Sequence, residues 1–174
     1  MGLVFWAGLA QAETAFVQKV IDARTLQLID GETVRLIGVE DPALQSEHDA
    51  KAAKDFVRGL VSGGLVELEY DVEKRDADGH LLAYVWFITP DNAQAHYSKF
   101  PEDFKVNFKV NNEGYDAFFV FLNATVIKAG HAIPSKSATN LRHTELFEQL
   151  YQDRVLTSAK LDVGEAPQIL AAEK

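Results

Sequence analysis

Between residues 15 and 88 the hydrophobic period changes twice, and the order of those changes restricts the fold more than any other feature of the chain. AFVQKVI (15–21), TLQLI (25–29) and TVRLIGV (33–39) alternate apolar and polar residues, and Asp30-Gly31 supplies a hairpin turn, so three short strands in a meander are expected. Across 45–61 the period becomes helical: Ala50, Ala53, Phe56/Val57 and Leu60/Val61 form one stripe, Ser46 can cap its start and Gly63-Gly64 can end it. Strand patterning returns at LVELEY (65–70) and LLAYVWFI (81–88), joined by a polar connection that ends in Asp78-Gly79. Five strands with a helix after the third predict a small Greek-key barrel in a mainly β chain with helices, an α+β class.

Beyond residue 88 comes a segment rich in Pro, Asn, Asp and Lys, residues 89–117, long for a plain connection. Within it FKVNFKV (104–110) suits an added strand, and the remainder reads as loop. Helical spacing resumes at Phe119, Leu122, Val126 and Ala129 before Gly130, and again from about Thr144 through Leu146, Phe147, Leu150 and Tyr151. Two helices packed on the barrel bring the predicted total to three. From Asp162 onward there is a Pro and little periodicity, so 162–174 reads as a tail. No internal repeat or coiled coil is apparent.

The 174 residues suit one domain, placed at 13–161. The uncharged start, MGLVFWAGLAQA (1–12), ends in the small-x-small pattern Ala10-Gln11-Ala12 that signal peptidases cut after. It implies a periplasmic or secreted protein; its missing basic n-region leaves a hydrophobic N-terminal strand as the other reading. The apolar run is too short for a membrane span, which needs about 20 residues. With no cysteine the chain has no disulfide framework, thiolate metal site or thiol nucleophile. A net charge of −9 disfavours tight nucleic-acid binding, because that affinity comes largely from Lys and Arg displacing counterions around phosphates.

Three blocks, VIDARTLQLIDGETVRLIGVEDP (20–42), DADGHLLAYVW (76–86) and VFLNATVIKAGHA (120–132), occur in that order with a helix between the first two. Together they resemble the staphylococcal (thermonuclease-type) nuclease domain over 16–151, interrupted by 89–117. The resemblance implies a five-stranded oligonucleotide/oligosaccharide-binding (OB-fold) barrel with three helices, in agreement with the element order. Similar active domains cleave phosphodiesters with Ca²⁺: oxygen ligands hold the ion, a glutamate activates water, and two arginines neutralise charge on the phosphoryl oxygens.

Carried onto this chain, the resemblance implies a degenerate site. The first metal aspartate corresponds to Arg24, a permanent cation that only donates hydrogen bonds. The second carboxylate corresponds to Glu40, and Asp41 stands where a threonine contributes its carbonyl. The general-base glutamate corresponds to Ala43, which cannot take a proton. Arg35 matches the first arginine, His80 replaces the second, and Asp78 stands where a phosphate-contacting Tyr is common. Arg24 could pair with Asp22, Glu40 or Asp41 and fill the vacated metal position as an internal cation.

Two functions follow. In the first, an exported nuclease-like barrel has lost cleavage, needs no cofactor and serves as a binding or interaction module for an unknown protein or small anionic ligand. In the second, a Ca²⁺-dependent phosphodiesterase or endonuclease acts on DNA or RNA with Asp22, Glu40 and Asp41 on the metal, Arg35 on the phosphate and His80 as acid or base. Losing a base typically costs about 10²–10⁴-fold in rate, which favours the first. Plainer readings exist for each group: Arg35 as a solvated strand residue, Glu40-Asp41 as an exposed turn, and Asp78-Gly79-His80 as a hairpin. Tyr84 and Trp86 read as core rather than as base-stacking aromatics. His96, Tyr97, Phe100, Phe104 and Phe108, among lysines, are the better candidates for a contact surface. The sequon Asn123-Ala124-Thr125 lies in a predicted helix, so Asn123 reads as structural. His48, His96, His131 and His143 show no ligand spacing.

Overall fold

A computed structural model describes residues 12–42, 46–90, 105–109, 116–135 and 139–162. The rest of the leader, Ala43, most of the 89–117 segment with His96, Tyr97, Phe100 and Phe104, and the tail beyond Asp162 lie outside the described residues. In chain order the elements are β1 (Ala12–Asp22), β2 (Thr25–Leu28), β3 (Thr33–Leu36), β4 (Val39–Glu40), α1 (Glu47–Val61), β5 (Leu65–Glu69), β6 (Leu81–Pro90), β7 (Lys105–Lys109), β8 (Asp116–Phe121), α2 (Leu122–Lys128), β9 (Ile133–Pro134) and α3 (Thr144–Asp162).

The large sheet runs β3-β2-β1-β5-β6-β8-β7, and a parallel pairing of β3 with β6 closes its first five strands into a barrel. Closure depends on two long strands that change partners. β1 pairs through Ala12–Phe16 with β5 and through Val17–Asp22 with β2, with register irregularities in the second stretch. β6 meets β3 through Leu81–Ala83, then β5, and finally β8 from Trp86 onward. Bulges raise local twist, which lets a strand turn from one neighbour to the next. Val17, Leu26, Val34, Val66, Leu68, Ala83 and Val85 fill the interior, each fully buried.

Local rules account for α1. Ser46 sits at the N-cap and accepts the Asp49 backbone N–H at 3.1 Å, Glu47 and Asp49 lie in the first turn, and Gly63 follows the end with φ +71°. Its buried face is Ala53, Val57 and Val61.

Several elements differ from the sequence expectation: the strand expected at 33–39 is interrupted after Leu36 and its end, β4, pairs with β9, while β8 begins at Asp116 inside the expected loop. The helix predicted from Phe119 begins at Leu122, because Phe119 belongs to β8 and pairs with Ile88 and Val106. Every residue from Val120 to Ile127 is buried, so neither a strand nor a helix period can show there. The last helix runs on to Asp162, well beyond the apolar stripe that suggested it.

Asn123, fully buried, joins three parts of the chain: its Oδ1 accepts the Val85 N–H at 2.9 Å, and its Nδ2 donates to the Ile37 carbonyl at 2.8 Å. The expected structural role is the observed one. The start of α3 is held by a second polar cluster. Glu69, buried at the end of β5, accepts from Trp86 Nε1 at 3.0 Å and from Arg142, while Asp71 accepts from Tyr84 Oη at 3.2 Å and from the Arg142 N–H at 3.3 Å. Tyr84 lies edge-on to His143 and Phe121, and Trp86 stacks on Phe121 at 4.4 Å. Both aromatics are therefore packing residues, as expected.

Candidate functional site

The β1–β2 turn is short, and Asp22 shapes it by accepting the Arg24 N–H at 2.9 Å. This directs Arg24 toward the chain after β4, where its Nε lies 3.0 Å from Asp41 Oδ2. Nε is buried and has no acceptor in line, so the contact is an ion pair and not an aligned hydrogen bond. Of the pairings open to Arg24, the turn leaves Asp22 with the backbone and gives the guanidinium to Asp41. Glu40 is exposed and lies opposite Ile133 in the small β4–β9 pairing.

Arg35 projects from β3 opposite Leu82 of the closing strand. Its Nη1 reaches Asp76 Oδ2 at 2.7 Å, and Asp78 lies 3.8 Å away. Asp76 organises the whole hairpin. Its Oδ1 accepts the N–H groups of Asp78 at 3.0 Å and His80 at 2.9 Å, while Oδ2 also faces His80 Nδ1 at 3.1 Å. Burial alone would raise the Asp76 pKa, but the His80 side-chain and backbone hydrogen bonds and the Arg35 charge outweigh it and hold the carboxyl below the usual carboxylate range. With its Nδ1–H donated to Asp76, the His80 ring would present Nε2 as an acceptor.

The structure thus joins Arg35 to His80 through Asp76, and Arg24 to Asp41. Asp22, Glu40 and Asp41 do not form a three-ligand group: among the described residues, the one set of His or carboxylate donors whose ligand atoms lie within 4.8 Å of one another is Asp76, Asp78 and His80. Ala43, the base position, lies outside the described residues. Sequence reasoning missed Asp76. The available signal was an aspartate followed at the second and fourth positions by turn residues, the spacing at which a carboxylate collects backbone N–H groups.

Closed by one parallel pairing and carrying an arginine on β3 beside the β5–β6 hairpin, this is a mixed five-stranded barrel of the OB-fold class. No protein-family model matches the chain. It is similar to "Thermonuclease" of Staphylococcus intermedius, 39% identical over 85 residues that cover 44% of this chain and 50% of that protein. It is also similar to "Thermonuclease" of Staphylococcus hyicus, 35% identical over 91 residues, 46% of this chain and 53% of that protein. The chain spans about half the length of the curated relatives it matches. Barrel and similarity together support a staphylococcal nuclease-like domain over about half of the chain.

Proposed function

We propose that this domain is a nuclease-like barrel that no longer hydrolyses phosphodiesters by a Ca²⁺ route and serves as a binding or interaction module. The Arg24–Asp41 ion pair carries the reading. A guanidinium stands where the resemblance puts the first metal carboxylate, and it occupies a neighbouring acidic side chain. Ca²⁺ takes six to eight oxygen ligands, and a fixed cation among its donors opposes it. The residues present do not fit that ion.

The phosphate side supports the same conclusion. Arg35, the retained arginine, is already neutralised by Asp76, with Asp78 close by. A phosphodiester entering here would have to displace a carboxylate that accepts from Arg35 and faces His80, in a chain of net charge −9.

The test is incubation of the purified full chain with single-stranded DNA and with RNA in Ca²⁺, Mg²⁺, Mn²⁺ or EDTA, beside an Arg35→Ala variant. No metal-dependent cleavage is expected. Cleavage that requires metal and disappears with Arg35→Ala would overturn the proposal.

A further inference from the structure

We propose that Asp76, Asp78 and His80 form a site for a borderline divalent cation of the Zn²⁺ class. The site is separate from the carboxylate positions that the family resemblance assigns to Ca²⁺, and it stands whether or not the barrel cleaves nucleic acid.

The donor set comes first. Two carboxylates and an imidazole offer ligand atoms within 4.8 Å of one another. Two ligands at roughly 2.1 Å from a tetrahedral ion lie about 3.4 Å apart. The His80 Nδ1 to Asp76 Oδ2 distance of 3.1 Å is close to that spacing, so a small opening lets the pair exchange its hydrogen bond for a shared cation, the Nδ1 proton moving to Nε2. Asp76 and His80 are anchored, with side chains 16% and 29% exposed, whereas Asp78 is 71% exposed and held only by a 3.8 Å ion pair with Arg35. The imidazole selects the cation class: it suits Zn²⁺, Cu²⁺ and Ni²⁺, and Ca²⁺ prefers an all-oxygen shell.

A second element points the same way. The β2–β3 hairpin and the β5–β6 hairpin enclose an open concavity of about 390 Å³, to which Asp30 and Glu32 contribute from one side and Asp78 and His80 from the other. The charged groups lining it are the carboxylates of Asp30, Glu32 and Asp78, of which Glu32 is paired with Arg75, and the concavity leaves room for water ligands. Arg75 shows that acceptors here hold a cationic group: its guanidinium bridges the hairpins, donating to both Glu32 oxygens at 2.9 and 3.1 Å and to the Gly79 carbonyl at 2.6 Å. Arg35, 2.7 Å from Asp76, leaves the set with one net negative charge when His80 is neutral, which sets a modest affinity.

The experiment is a titration of the tag-free full chain with ZnCl₂, followed by calorimetry and by the imidazole NMR signals, with CaCl₂ as a second arm. Saturable uptake of one Zn²⁺ that shifts the His80 signals is expected, with no Ca²⁺ response at equal concentration. Loss of an outer-shell partner alone typically weakens a metal site about 10–100-fold, so Asp78→Asn and His80→Gln, each removing a direct ligand, should each weaken uptake at least tenfold. Asp78→Asn alters an exposed side chain and decides the matter if His80→Gln disturbs the fold. No uptake, uptake unchanged by Asp78→Asn, or a shift confined to another histidine would overturn the proposal.

Discussion

The ring of Phe147 occupies the space that a side chain on Gly38 would need: a Cβ there would come within 2.5 Å of Phe147 Cε2. Gly38 also has φ +72°, so both backbone and packing demand glycine. Gly38→Ala should destabilise the fold by about 2–5 kcal/mol, combining left-handed strain with overpacking. Urea denaturation measures this, and adding Phe147→Leu should recover part of the loss as a coupling energy. Strictly additive effects would refute the contact.

Asn123 offers a different kind of test, because its replacement leaves partners unpaired and not crowded. Asn123→Leu strands the Val85 N–H and the Ile37 carbonyl in the core. At about 1–3 kcal/mol for each orphaned group, a loss of roughly 2–6 kcal/mol is expected in chemical denaturation. A loss under about 0.5 kcal/mol, ordinary for a surface change, would show that the staple contributes little.

Glu69 predicts how the protein responds to acid. Burial pushes its pKa up, but the His143 imidazole 3.8 Å away and hydrogen bonds from Arg142 and Trp86 prevail and bring it down to about 2 from 4.5. A depressed folded pKa means that the contribution is fully present above the unfolded value and is lost as pH falls from about 4.5 toward 2. The shift corresponds to roughly 3 kcal/mol. Glu69→Gln should flatten stability against pH across that window, read by thermal melts and by fluorescence of Trp86, whose N–H donates to Glu69. An unchanged slope would assign the acid response elsewhere.

The Arg24–Asp41 pair makes a prediction about calcium. The wild-type chain should show no rise in melting temperature at millimolar Ca²⁺. Arg24→Asp removes the cation and restores a carboxylate next to Asp41, so a saturable rise should appear, about 2–4 °C for a stabilisation near 1 kcal/mol. A rise in the wild type would show that the guanidinium does not exclude the ion.

Much of this fold is written locally, and the exceptions are physical. Ser46 and Gly63 announce α1 because a cap and a left-handed stop are properties of single residues. Asp30-Gly31 marks its hairpin for the same reason, with Gly31 at φ +92°. The β8–α2 junction is hidden because its residues are buried on every side, which erases the polar half of any period. At the candidate site the substitutions at Arg24 and His80 are visible one position at a time, and Asp41 was among the partners foreseen for Arg24. Asp76 is not visible in that way: its role arises from a residue 41 positions earlier in the chain, brought to it by barrel closure.

That dependence on closure also governs when the site can exist. The parallel pairing of Val34, Arg35 and Leu36 with Leu81, Leu82 and Ala83 joins distant segments, and such contacts carry a high loop-closure cost during folding. Until β3 meets β6, Arg35 has no fixed relation to Asp76 or His80. A ligand that engages Arg35 together with the hairpin would therefore act as a clasp on the barrel, slowing its opening and extending amide protection to strands it never touches.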